Sequence, residues 1–253
     1  DRFQISEADK TEYREELLPY WSGRSLNDWY RAHLDADVAA AETDKVFSVA
    51  QTDKGQGHII CDFPLVLACG YSAILERARA RAAAEPGNAF LRAAVISLEA
   101  MIAYIGRYER AVRELIPQAE PARAAELERI AEVLAHVATE PARDLTDAIQ
   151  LVWLTEVALM HESNASSLSL GRADQYLWPY YEASLAAGAA PEDIRELIQC
   201  FYLKLNTIVA IRSTESARFF AGFPIGFNLV VGGVDERWHD ASNELSQLLL
   251  DVQ

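Results

Sequence analysis

The sequence predicts a mainly α protein that acquires a buried strand close to its C-terminal end. Three observations predict it. Apolar residues recur every three or four positions through most of the chain. Most prolines and polar, glycine-containing breaks fall at the ends of these periodic segments. Residues 224–233, PIGFNLVVGG, instead form a β-rich run bounded by glycine, which reads as a buried strand.

The first helix is predicted from Ser6, a good N-cap followed by acidic Glu7 and Asp9, to Trp21, before Ser22-Gly23. A short helix follows at about Leu26 to Leu34. Residues 52–57, TDKGQG, break the pattern and place His58 on a loop. Pro64 suits the first turn of a helix running to about Ala84, closed by Pro86-Gly87-Asn88. The longest helix, Ala89 to Ile116, carries a stripe of Leu91, Val95, Leu98, Ile102 and Ile105. Pro117 ends it. A helix from about Pro121 shows Leu127, Ile130, Leu134 and Val137 on one face. Pro141 and Asp144 open the next, Leu145 to about His161, which is apolar nearly all round and therefore expected to be buried. Two more are expected near Ala173 to Ala187 and from Pro191 to about Ile208. Asp240 is expected to cap a final helix still running at Gln253. A lone strand cannot stand as a sheet, so the segment reads as part of something larger.

Composition narrows the function classes. Of 253 residues, 51% are hydrophobic and 24% charged, which excludes a disordered chain. The net charge of −15 repels phosphate backbones and anionic lipid surfaces, so neither nucleic acid nor membrane is an expected partner. No apolar run is read as approaching the roughly 18 residues of a membrane span. Cys61, Cys69 and Cys200 form no CxxC pair or metal-ligand cluster. An odd cysteine count with no secretory leader suits a reducing, cytoplasmic setting.

Candidate chemistry is sparse. No GxGxxG, P-loop, GxSxG or HExxH occurs. His58, beside glycine and near Asp62, is either an exposed loop histidine or a group that handles protons near neutral pH. Glu162, at the end of the most apolar helix, is expected to be buried and either paired or protonated; it ties the helix end to Arg172 or Asn164, or it serves in catalysis. The run Ser163-Asn-Ala-Ser-Ser-Leu-Ser carries a polar loop out of a buried helix, as a binding pocket requires. Tyr176, Trp178, Tyr180 and Tyr181 read as packing. His33, His136 and His239 receive no role.

Several stretches, in order, resemble the glycyl radical enzymes of the pyruvate formate-lyase family. They are DRFQISEADK, GQGHIICDFPLVLACG, VISLEAMIAYIGRY, ESNASSLSLGRADQYLWPYY, FAGFPIGFNLVVGG and NELSQLLLDVQ. The resemblance spans nearly the whole chain. It implies a ten-stranded α/β barrel wrapped in helices, of which residues 1–220 would be helical shell and 221–253 the first barrel strand and following helix. It also implies a radical lyase or dehydratase acting on a small organic substrate. Alternatives are acyl transfer of the formate acetyltransferase type, or a non-catalytic helical scaffold or decayed fragment. The family's thiyl cysteine lies in a Gly-Cys-x-Glu motif and its radical glycine in an Arg-Val-x-Gly-Tyr motif. Neither occurs here, so no catalytic residue is expected in the segment, which reads as an N-terminal to central fragment, inert alone.

What the resemblance carries over is a pocket: His58, Ser166, Ser167 and Phe223 or Phe227. The glycerol-type loop reads ESNGHS. Here Ser166 stands at its histidine, Ala165 at its glycine, and Ser167 keeps its serine. A substrate larger or less hydroxylated than glycerol is expected. No bound metal or cofactor is implied. The implied cofactor is the glycyl radical of the full-length enzyme, installed by a radical-SAM activating enzyme, and the implied assembly is a homodimer of anaerobic metabolism.

Overall fold

A computed structural model describes residues 5–47, 59–163, 167–208, 218 and 226–253. The chain divides into two compact units: residues 1–57 with 163–165, and residues 58–162 with 166–253.

In the first unit, α1 (Glu7–Glu12) continues through a π turn (Tyr13–Leu17) into α2 (Leu18–Trp21), followed by α3 (Leu26–Ala32) and α4 (Ala36–Thr43). The expected Ser6 cap is present as a reciprocal capping box. The Ser6 hydroxyl accepts from Asp9 N at 3.1 Å, and Ser6 N donates to the Asp9 carboxylate at 3.2 Å. Ser25 and Asp28 repeat the device, and the Ser25 hydroxyl helps hold the Asp28 carboxyl below the usual carboxylate range. No residue from 5 to 47 is buried. α4 was not foreseen, because its run ADVAAAET has no apolar stripe to mark it.

The second unit contains β1 (Ile59–Ile60), α5 (Phe63–Ala84), α6 (Ala89–Leu115), α7 (Pro121–Val137), α8 (Leu145–Ser163), β2 (Leu168–Ser169) and β3 (Gly171–Arg172). It continues with α9 (Ala173–Tyr176), α10 (Trp178–Ala186), α11 (Pro191–Leu205), β4 (Leu229–Val230) and α12 (Glu244–Asp251). The fold is mainly α, as expected. α8 supplies much of the core: Leu145, Ala148, Leu151, Val152 and Leu154 are all at most 1% exposed. Each fully buried leucine contributes on the order of 2 kcal/mol. The α8 amino end is satisfied twice. Asp144 Oδ1 accepts from Asp147 N at 3.0 Å, and Ser184 Oγ on α10 accepts from Leu145 N at 3.0 Å. Asp147 is itself fully buried and takes a two-pronged contact from the Arg143 guanidinium, at 2.7 and 3.2 Å.

The structure corrects several local expectations. Among the described residues four two-residue strands occur; the one expected within 224–233 is β4, half-buried at Leu229 and exposed at Val230 rather than buried. The helix expected from Ala173 breaks at Leu177, ahead of Pro179, which sits in the first turn of α10. α11 stops at Leu205 rather than near Ile208. The last helix is capped by Asn243, which shares a capping box with Ser246, whereas Asp240 closes a turn onto Ser242 N. The segment Ala89–Gln118 is in fact long and apolar enough to cross a membrane by length and composition. In the fold it lies along both α5 and α7 and pairs Glu99 with Arg79 at 2.8 Å, as a helix in a packed layer does.

Gly70 breaks the regular geometry of α5 with φ 69° and ψ 162°. A Cβ there would lie 2.7 Å from the backbone carbon of Glu140, so α5 bends against the α7–α8 connection. Ala142 N donates to Leu67 O at 3.0 Å beside it. Gly70→Ala is expected to destabilise the protein by about 2–3 kcal/mol, from left-handed strain and backbone collision together. Chemical denaturation of the full-length protein checks this.

Candidate functional site

The strands are parallel and pair in register. Ile59 faces Leu168 and Ile60 faces Ser169; Gly171 faces Leu229 and Arg172 faces Val230. Residues 168–172 therefore join β1 through their first half and β4 through their second. Leu170, between the halves, is 1% exposed. Two residues per strand are too few to show a period of two, which is why the sequence did not reveal them.

Parallel pairing brings the residues preceding the strands to one end. Ser167 stands immediately before β2, and Phe227 two residues before β4. Ile59, which follows His58, pairs with Leu168, which follows Ser167. Ser167 is buried, and its hydroxyl donates to Gly226 O at 2.8 Å. That bond ties the start of β2 to the approach to β4. Phe227 packs against the core and lines a groove of about 800 Å³ with Leu170, Tyr202, Leu229, Leu249 and Val252. Ser167 does not line that groove. His58, Ser166 and Phe223 lie outside the described residues.

The opposite end of the strands is held by the residues of GRADQY. Arg172 donates to Gly232 O at 2.7 Å and Val234 O at 3.1 Å. Asp174, fully buried, accepts from Gly232 N at 2.6 Å and from Ser246 Oγ at 2.5 Å. Gln175 Nε2 donates to Ala241 O at 2.8 Å, and Asn243 Nδ2 to Asp174 O at 3.1 Å. The positive φ of Gly232 and Gly233 lets this turn close under the clamp. Arg172, one of the two partners expected for Glu162, instead holds the 232–234 backbone. Glu162 is exposed, as is His161, because the last turn of α8 leaves the core.

The buried glutamate lies two turns earlier. Glu156 is 1% exposed, and burial pushes its carboxyl up to about 7. Around it, Cys61 follows β1 and Tyr176 ends α9. Burial first, then the Glu156 and Asp62 charges, push the Cys61 thiol up to about 11. Burial, then Glu156, Cys61 and Asp174, also push the Tyr176 phenol upward. Tyr176 packs on Phe63 with ring centroids 5.3 Å apart. Beside them the Tyr71 hydroxyl lies 2.8 Å from that of Thr155, which donates to Leu151 O at 2.7 Å. A carboxylate in the middle of an apolar stretch of α8, from Leu151 to Met160, was the available sequence signal for this group.

The pyruvate formate lyase-like family model matches residues 1–253. The chain belongs to that family. It is 31% identical over 269 residues to a (2S)-3-sulfopropanediol dehydratase of Klebsiella oxytoca, covering 99% of this chain and 32% of the relative. Identity is likewise 31% over 269 residues with an isethionate sulfite-lyase of Nitratidesulfovibrio vulgaris, covering 98% of this chain and 32% of that one. Among solved structures, the glycerol-bound B12-independent glycerol dehydratase of Clostridium butyricum superposes with a TM-score of 0.84 at 32% identity, covering 99% of this chain and 33% of that one. A glycyl radical enzyme from Archaeoglobus fulgidus gives 0.82 at 29% identity, over 99% of this chain and 33% of its own. The chain thus spans about a third of the length of the relatives it matches. Among its cysteines, Cys61 is partly buried beside acidic groups, Cys69 is partly buried on α5, and Cys200 is exposed on α11. None stands in a Gly-Cys-x-Glu setting, so none fits a thiyl position and no radical step is assigned to them.

Two expected outcomes follow from this geometry. Asp174→Ala leaves the Gly232 amide and Ser246 hydroxyl buried without their acceptor and is expected to cost about 3 kcal/mol, read by urea denaturation. Glu156 binds its proton more tightly folded than unfolded. Its contribution is therefore fully present below about pH 4.5 and is lost as pH rises through about 7. In Glu156→Gln, that decline, worth roughly 3 kcal/mol, is expected to vanish from the pH profile of stability.

Proposed function

We propose that this chain is part of a glycyl radical enzyme of the dehydratase or lyase type, cleaving a C–X or C–C bond of a small organic substrate. The observation that carries the reading is the register Ile59–Leu168 together with the bond from Ser167 to Gly226 O. It gathers the flanks of the three segments in which the family resemblance places pocket residues. The named relatives support the reaction class, since they act on a sulfonated diol, isethionate and glycerol.

In this reading His58, Ser166, Ser167, Phe223 and Phe227 contribute to a substrate pocket. His58 supplies or accepts a proton at a substrate hydroxyl, and Ser167 presents a hydroxyl already oriented by Gly226. Ser166 replaces an imidazole with a smaller group, which favours a substrate larger or less hydroxylated than glycerol. Residues 1–220 serve as helical shell, and 221–253 begin the barrel. The thiyl and glycyl groups belong to the remainder of the full-length protein. A radical-SAM activating enzyme is its partner, and the enzyme works as a cytoplasmic homodimer in anaerobic metabolism.

Activation of the full-length protein by its radical-forming partner is expected to produce a glycyl doublet in electron paramagnetic resonance; an activated protein without one would overturn the assignment. Ser167→Ala should retain the doublet and lower kcat/KM by about ten- to a hundredfold, the worth of one well-placed hydrogen bond. Efficient turnover of glycerol by the wild type would contradict the substrate class.

A further inference from the structure

Gly232 is gripped on both of its backbone groups by side chains from one short segment. Arg172 donates to its carbonyl oxygen at 2.7 Å, and Asp174 accepts from its amide at 2.6 Å. Arg172 reaches on to Val234 O at 3.1 Å, while its own backbone pairs with Val230. At the other end of the same two segments, Ser167 Oγ donates to Gly226 O at 2.8 Å. Between these ends, Gly171 N donates to Asn228 O at 3.1 Å. Residues 167–174 thus hold residues 226–234 at both ends and in the middle.

The ends matter because the middle is weak. A ladder of two residues has little power to specify its own register, and a slip by two keeps every side chain on its face. Such a slip moves the strand about 6–7 Å, which takes Gly226 O out of reach of Ser167. Gly232 forbids it. Its φ is 68°, and a Cβ in its place would lie 2.9 Å from Ser242 Oγ, so neither Val230 nor Val234 can occupy the grip. The register also decides what Ser167 offers. A carbonyl only accepts, so the single hydroxyl proton is committed to Gly226 O. Loss of the register frees that proton and lets the hydroxyl turn.

We propose that Arg172 and Asp174 are positioning residues for the Ser167 hydroxyl. By fixing Gly232 they set the register of β4 on β3, and that register brings Gly226 O to Ser167. The inference rests on the pocket role proposed above for Ser167. Neither Arg172 nor Asp174 touches substrate in it; both act through the strand.

Arg172 is exposed, so Arg172→Ala leaves the two carbonyls to water and tests the grip without emptying the core. In the full-length protein, the crystal structure of this variant is expected to show Ser167 Oγ beyond about 3.5 Å from Gly226 O, with α5 to α8 unmoved. The activated variant should keep the glycyl doublet. With (2S)-3-sulfopropanediol as the probe substrate, Arg172→Ala is expected to lower kcat/KM about tenfold in the wild-type background and less than about twofold in Ser167→Ala. Arg172→Lys, a point donor facing two carbonyls, should fall between wild type and Arg172→Ala. A Ser167–Gly226 bond intact in Arg172→Ala would overturn the proposal, whether or not the diol is turned over. So would equal losses in the two backgrounds, the mark of a merely structural role. An absent doublet in the wild type would sink the radical reading alone, and the crystal structures would still decide the positioning.

Discussion

The described part of the second unit is organised around one buried carboxylate. Asp174 holds the Gly232 amide with one oxygen and shares that oxygen with Ser246. A single ionisable group thereby fixes the end of β3, the turn after β4 and the first turn of α12. Burying it is costly unless it is well bonded, so the surrounding residues are constrained in turn. Arg172 must reach over to Gly232 and Val234 O, and glycine must occupy 232 and 233, where φ is positive. With this end closed, the register of Gly171 on Leu229 follows, and Ser167 meets Gly226 at the other end. The arrangement at one end of the strands depends on an electrostatic lock at the other.

The stretch from Glu162 to Tyr181 therefore does two physical jobs. Its first part leaves α8 and enters β2 with a serine bonded to an opposing backbone carbonyl. Its second part, from Gly171, clamps residues 232–246 and then starts α10 at a proline. Neither job is catalytic in itself. Both give a short parallel strand set the rigidity a pocket needs, since two-residue ladders have few hydrogen bonds of their own.

The helical layers were legible because each buries a stripe or a whole surface over three turns or more. Prolines at 64, 121 and 191 mark their first turns as expected. What escaped the sequence depends on partners far along the chain. Gly70 sits inside a helical pattern, and only the approach of Glu140 explains it. Asp240 and Asn243 are equally good caps in isolation, and Asn243 wins because its side chain also reaches Asp174 O. Glu162 was expected to be buried because the helix before it is apolar. Its last turn instead emerges, and the buried glutamate is Glu156. Of the residues expected to line a pocket, Ser167 and Phe227 lie among those described, and they meet through Gly226 rather than in a shared cavity.

Two places thus compete as the seat of a substrate under the proposed function: the strand starts at Ser167, and the apolar groove beside Tyr202 and Leu249. Only the first holds Ser167, whose hydroxyl is oriented by Gly226 O, and it follows the segment in which the proposed function places His58. A crystal structure of the full-length protein with a bound substrate distinguishes them. Hydrogen bonds from the substrate to His58 and Ser167 are the expected result. A substrate seated in the groove against Tyr202, Phe227 and Leu249, with Ser167 untouched, would contradict the assignment.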